Sequence, residues 1–240
     1  MDIYSELWKF NDILFNDDGH IYKSSDVDDY ISVTKYVDKF KFPVKWDKIA
    51  GIKAIKLGVT KEELLDTWAK KGKKATTLGT EIHSYLENLW HRKVYKPDLA
   101  ILEQYDNVDN YNEKAKICDK IYAKLTETYI PIANELIVYD KIKKICGTID
   151  FLAYNKKTHR IDILDWKTSK EFQTQGRNYM LYPYQVYQDC NINHYSLQLS
   201  IYKWIIEHNT DIKIDQLLLV QINNEPKICK CVDFGKYLWS

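Results

Sequence analysis

Two apolar runs closed by a polar turn, within residues 147–170, constrain this chain more than any other stretch. They read Gly147-Thr148-Ile149-Asp150-Phe151-Leu152-Ala153-Tyr154, a turn over 155–160, then Ile161-Asp162-Ile163-Leu164-Asp165-Trp166-Lys167-Thr168. Apolar runs flanking a short polar turn predict a β-hairpin. Residues i and i+2 of a strand share a face, so Asp165 and Lys167 lie side by side, and Asp150 approaches from the neighbouring strand. Two carboxylates and a backbone carbonyl make a hard oxygen site that suits Mg²⁺. A lysine beside such a site can orient or deprotonate a water. The same residues also fit a surface hairpin with solvated charges, so the rest of the chain has to decide.

The 240 residues suffice for one domain with a substantial core. Net charge is only +1, so any nucleic-acid contact must come from local clusters and not from a global basic field. Tyrosine (19) and tryptophan (7) are abundant, and aromatics serve either as core or as stacking platforms for bases. The five cysteines, Cys118, Cys146, Cys190, Cys229 and Cys231, include no C-x-x-C pair. That disfavours a zinc ribbon or a disulfide framework and points to a reducing, intracellular compartment: cytoplasm, nucleus or a viral factory. The N-terminal residues have no secretory pattern, and no apolar run approaches a membrane span. The expectation is therefore a protein that is neither secreted nor membrane-bound.

In chain order, residues 12–24 predict a hairpin turning at 16–19, with His20 opening its second strand. Ser32 caps a helix over 33–40, and Pro43 closes that segment. A second helix is expected over 46–55. Thr60 and Glu63 form a capping box for a third, running to about Lys71. Residues 70–74 (Lys-Lys-Gly-Lys-Lys) read as a solvated turn, or as phosphate contacts through Lys73 and Lys74. Ile82, Leu86, Leu89 and Trp90 recur at helical spacing, with His83 beside that stripe. Residues 92–112 read as a loop or variable insertion, and 112–129 as a helix. Strands follow over 132–139, 147–154 and 161–168. Gly147 fits either a close backbone approach or a bulge. Residues 171–193 read as a polar, aromatic loop and 194–207 as a helix. In that helix Gln198 and Tyr202, at i and i+4, share a face. A final strand over 216–222 reads as buried on both faces.

Four pieces of this chain resemble motifs of the PD-(D/E)XK nuclease superfamily, closest to its RecB-like exonuclease branch of phage, viral or mitochondrial genome-maintenance type. They are Gly79-Thr80-x-x-His83, Gly147-Thr148-Ile149-Asp150, Asp165-Trp166-Lys167-Thr168 and Gln198-x-x-x-Tyr202, and they stand in the family's order over about 125 residues. The predicted order from residue 112 onward, α-β-β-β-α-β, is similar to the family core. The resemblance implies an α/β (α+β) fold with a mixed central sheet flanked by helices. It would be one nuclease domain over 1–240, with an N-terminal hairpin and helical extension (1–74) before the core (75–240).

The resemblance also implies roles. Asp150, Asp165 and the Trp166 carbonyl would hold Mg²⁺ or Mn²⁺, with His83 and Glu135 completing the metal environment. Lys167 would position the attacking water and offset phosphate charge, while Gln198 and Tyr202 orient Lys167 or the phosphate. Lys73, Lys74, Thr168 and Tyr184 are candidate contacts to nucleic acid. Some relatives hold an iron–sulfur cluster with four cysteines; Cys190, Cys229 and Cys231 have other spacing, so no cluster is expected. The implied activity is metal-dependent hydrolysis of DNA, as an exonuclease on single-stranded ends, in replication, repair or recombination beside a helicase or other partner. Two rivals remain open at the level of sequence: a non-catalytic nucleic-acid-binding module of this fold, and a structure-specific endonuclease. Phe172, Tyr179, Tyr182, Tyr184, Tyr187 and Tyr195 crowd the segment after the catalytic strand, where exposed rings would stack on bases.

Overall fold

The computed structural model describes residues 2–16, 21–24, 29–169 and 171–239. The turn expected at 17–19 with His20, and Lys170, lie outside the described residues. The helices in chain order are α1 (Ile3–Leu7), α2 (Val33–Asp38), α3 (Trp46–Leu57), α4 (Lys61–Trp90), α5 (Leu99–Gln104), α6 (Val108–Thr128) and α7 (Asn191–Asn209). The strands are β1 (Ile13–Asn16), β2 (Ile21–Ser24), β3 (Ile31–Ser32), β4 (Tyr129–Asp140), β5 (Ile145–Asn155), β6 (Arg160–Lys167), β7 (Ile214–Gln221) and β8 (Lys227–Lys230). Two compact units result: residues 1–42 with 123–240, and residues 43–122.

The first unit is α/β, a mixed sheet flanked by helices. Its strand order is β3-β5-β6-β7-β8, and β4 pairs with β5 antiparallel along its whole length. β4 therefore takes one edge of β5 entirely, and β3 and β6 must share the other. β3 pairs parallel at Ile145 and Cys146, while β6 pairs antiparallel from Phe151 to Asn155. Past Leu164, β6 leaves β5 and continues on β7 alone, with Asp165 beside Leu219 and Lys167 beside Gln221. The hairpin thus opens into a fork between Gly147–Asp150 of β5 and Asp165–Lys167 of β6. At the closed end, Asn155 Oδ1 accepts from the amides of Lys157 (3.0 Å) and Thr158 (3.3 Å), the local bonding that lets an asparagine start a turn.

Helix α7 packs on β4, β6 and β7, and buries Leu197, Ile201, Ile205 and Ile206 against Ile149, Leu152, Ile163 and Leu219. Of the two readings of Gly147, close approach is the one observed. A Cβ there would stand 2.7 Å from Cε1 of Tyr202, so only glycine lets the phenol lie on the strand. β1 and β2 form the expected antiparallel hairpin. β3, β8, α1 and the short 3-10 turns at 8–10 and 235–237 were not legible, being two to five residues long. β4 begins at Tyr129, earlier than expected, and carries Pro131. An edge strand tolerates a proline because its outer side needs no donor.

The second unit is helical. The Thr60–Glu63 capping box is complete: Thr60 N–H donates to Glu63 Oε2 (2.8 Å) and Glu63 N–H to Thr60 Oγ1 (3.1 Å). Gly58, at φ +67°, ends α3 in the left-handed region that glycine adopts without cost. The turn expected at 70–74 is corrected: those lysines lie mid-helix in α4, which runs unbroken for 30 residues. One interior glycine costs about 1 kcal/mol, too little to break a helix that lysine and alanine otherwise favour. The loop expected over 92–112 contains α5 and the first turn of α6. Glu81, buried in this unit, accepts from Tyr95 Oη (2.8 Å) and Asp98 N–H (3.1 Å), fastening the chain ahead of α5 to α4.

Candidate active site

The fork gathers the chemistry-bearing residues of the first unit. Where β6 leaves β5, the carboxylate of Asp150 bridges the gap: its Oδ2 accepts from the Trp166 amide at 2.8 Å. A strand residue sends its N–H and C=O to the same side, and alternate residues face alternate neighbours. The Lys167 carbonyl accepts from Ile222 N–H toward β7 (2.8 Å), so the Trp166 carbonyl faces the opposite side, into the fork with Asp150. The indole of Trp166 is 2% exposed and packs on Phe151 with ring centres 5.4 Å apart, which fixes this backbone.

Asp165 and Lys167 share a face as their spacing predicts. Lys167 Nζ lies 2.6 Å from Asp165 Oδ2, and the Asp165 side chain is 4% exposed. Burial disfavours the lysine charge, but Asp165 and Asp150 together outweigh it and hold the ammonium above the ordinary lysine value. The ammonium also sits over the ring of Tyr195, 4.6 Å from its centre.

Glu135 sits opposite Asp150, between the pairs Asn134–Phe151 and Leu136–Ile149. Its φ is +46°, a left-handed conformation that is uncommon in a strand and that concentrates at functional sites. The two residues offer carboxylate oxygens within 4.8 Å of each other, a spacing from which both can reach one divalent cation. Three carboxylates and a strand carbonyl are hard oxygen donors of the kind that Mg²⁺ or Mn²⁺ takes.

Helix α7 supplies the roof. Gln198 Nε2 donates to Tyr202 Oη at 3.0 Å. Burial, more than the charges of Asp165 and Asp150, pushes the Tyr202 phenol far up, so it remains a neutral hydroxyl. Tyr195 belongs to the same face, since 195, 198 and 202 follow i, i+3, i+7. The aromatic count drew attention to Tyr195 as a base-stacking residue; its helical phase marks it as a partner of the lysine. Tyr22, 3.4 Å by its hydroxyl from Thr148 Oγ1, joins from 126 residues away without any sequence signal.

The remaining candidates are Thr168, His83, Lys73, Lys74 and Tyr184. Thr168 follows β6, half-buried. His83 is half-buried on α4 in the second unit, beside fully buried Ile82. Lys73 and Lys74 are on the same helix; Lys73 is exposed, whereas Lys74 pairs with Asp106 at 3.0 Å. The assignment of Tyr184 to nucleic-acid binding is corrected. It is 1% exposed, enclosed by Phe40, Phe234 and Tyr237, and has no face to offer a base. Phe172 and Tyr195 pack on each other, and Tyr187 packs on Phe234. Of that aromatic segment, Tyr179 and Tyr182 are exposed, at 56% and 79%.

No helix among the described residues is long and apolar enough to cross a membrane. Neither protein-family models nor curated proteins give a match to this chain.

Proposed function

We propose that this chain is a metal-dependent deoxyribonuclease with a PD-(D/E)XK core of the RecB-like branch, acting as an exonuclease on single-stranded DNA ends in replication, repair or recombination. The observation that carries the reading is the fork: two carboxylates, a strand carbonyl and a lysine converge where β6 parts from β5 and stays paired with β7 alone. A hairpin paired to its end would spend those backbone groups on its own ladder.

Asp150, Asp165 and the Trp166 carbonyl would hold Mg²⁺ or Mn²⁺, with Glu135 and His83 completing the donor set. The cation, when bound, supplies charge stabilisation at the phosphate and help for the leaving 3′-oxygen. Lys167 offsets phosphate charge and positions the attacking water. Tyr195 and Asp165 hold its ammonium in place. Tyr202, seated on Gly147 and oriented by Gln198, sets the depth of the site and keeps bulk water from its inner wall. Thr168 and the exposed rings of Tyr179 and Tyr182 are the remaining substrate contacts, stacking being worth about 1–3 kcal/mol per base.

Digestion of end-labelled linear and of circular single-stranded DNA, with Mg²⁺ and with chelator, tests the proposal. Magnesium-dependent loss of the linear strand alone is expected. Cleavage of circles would make the chain an endonuclease, and no digestion of either would leave a binding module.

A further inference from the structure

We propose that the α3–α4 helical pair is an arm that binds the phosphodiester backbone of nucleic acid, an inference that takes its ligand class from the nuclease reading above. Residues 43–75 carry nine lysines and four acids, whereas the other 207 residues carry 26 basic and 30 acidic side chains. A chain that is nearly neutral overall thus concentrates a charge of +5 on Lys45, α3 and the first half of α4. The four acids are largely spoken for: Asp47 pairs with Lys61, Asp66 with Lys70 (2.7 Å), and Glu63 is spent in the capping box. Lys45, Lys48, Lys53, Lys56, Lys71 and Lys73 are exposed and have no acidic partner among the described residues.

The shape of the arm matches its charge. From Ala69 to Thr76, α4 is exposed on nearly every side, with only Lys74 half-buried. A helix segment polar all round gains little from its own packing and is the kind that spans solvent or awaits a partner. Lys53 holds its ammonium 5.6 Å from the centre of the Trp68 ring, and Trp46, 62% exposed, meets Trp68 edge-on. Cationic groups interleaved with exposed indole fit phosphates and bases together.

An anionic bilayer fits less well. Trp46 and Leu57 lie on one side of α3, and Ile52 and Ile55 lie nearly opposite at 100° per residue, so no single apolar face exists to enter a membrane.

The test uses the full chain carrying Asp165→Asn, with chelator present, so that binding is read without cleavage. Lys48, Lys53, Lys56 and Lys71 are replaced together by Gln; a control replaces Lys157, Lys213, Lys227 and Lys230. Affinity for labelled oligothymidylate is measured across a potassium chloride series, after circular dichroism has shown both variants folded. Each phosphate contact contributes about 0.7 to the slope of log K against log salt for single strands, so four contacts contribute roughly 3. The arm variant is expected to lose roughly that slope, with affinity at 0.1 M salt down by about 10²–10³-fold, and the control to keep it. An unchanged slope in the arm variant, or an equal loss in the control, overturns the proposal. So does arm-dependent pelleting with phosphatidylserine vesicles when the DNA slope is unaltered. The two proposals fail separately. A lost slope in a chain whose wild type cleaves nothing keeps the arm and removes the nuclease; cleavage with an unaltered slope does the reverse.

Discussion

The closed and open ends of the β5–β6 hairpin each bury an aspartate on β6, and the two are held in different company. Asp162, at the closed end, is fully buried and accepts from Tyr129 Oη (3.1 Å), Asn155 Nδ2 (2.9 Å) and Gln216 N–H (3.1 Å). Three neutral donors saturate it, and burial still pushes its carboxyl above the ordinary value. Asp165, three residues on, has a lysine at 2.6 Å and a second carboxylate, Asp150, across the fork. One aspartate ties strands together. The other keeps charge concentrated where the sheet opens. Burial alone therefore does not single out a candidate functional acid; the kind of partner does.

The largest expected effect separates the two ends. Asp165→Asn and Lys167→Ala each lower the rate of magnesium-dependent DNA cleavage by roughly 10²–10³-fold, the usual scale for losing one charge-stabilising group. Circular dichroism finds both variants folded, with melting temperatures lowered by the loss of one partner of a buried ion pair. Wild-type rates in both would remove the fork from the chemistry.

Asp162→Ala works the other way. It leaves three donors without an acceptor, at about 1–3 kcal/mol for a buried unsatisfied group, and water entering the gap recovers part, so a loss of about 3 kcal/mol in urea unfolding is expected. Because burial works against the charged carboxyl, Asp162→Asn costs less than Asp162→Ala. Equal stability of Asp162→Ala and wild type would contradict the tie.

Gly147→Ala probes the depth of the open end. The new methyl meets Tyr202 at 2.7 Å, and overpacking of this kind costs about 1–3 kcal/mol. Adding Tyr202→Leu makes room and should return most of that stability while leaving cleavage impaired. If the double variant is no more stable than Gly147→Ala, the clash is not with Tyr202.

A third acid, this one half-buried, gives the smallest effect. Asp189 holds His194 at 2.7 Å. Burial lowers the imidazole's proton affinity more than Asp189 raises it. The unfolded chain then binds the proton more readily than the folded one, so this pair's stability is lost as pH falls through the ordinary histidine range. Melting curves between pH 7 and 5 should fall less steeply for His194→Gln, by a degree or two at most, than for wild type. Parallel curves would show that the pair is neutral to folding.

Much of this was legible because it is local. The hairpin strands, the Asp165–Lys167 face, the Thr60 capping box and the Gln198–Tyr202 pair each follow from spacing within a few residues. What was not legible depends on distant partners. The parting of β6 from β5 past Leu164 leaves Asp165 paired with Leu219 alone, and nothing near Leu164 in sequence announces it. Tyr184 looks like its exposed neighbours until Phe40 and Phe234 enclose it. The lysines of 70–74 suggested a turn because a glycine interrupts them, yet helix continuity is set over many residues and one glycine does not outvote the rest.

The central claim is that the open end of the hairpin, and not the closed end, holds a divalent cation. Mn²⁺ binding by isothermal titration, on wild type, Asp162→Asn and Asp165→Asn, tests it most directly. The account predicts that wild type and Asp162→Asn bind Mn²⁺ alike and that Asp165→Asn binds at least about tenfold more weakly, the scale of one lost charge-assisted contact. No binding by wild type, or equal binding by Asp165→Asn, would contradict it.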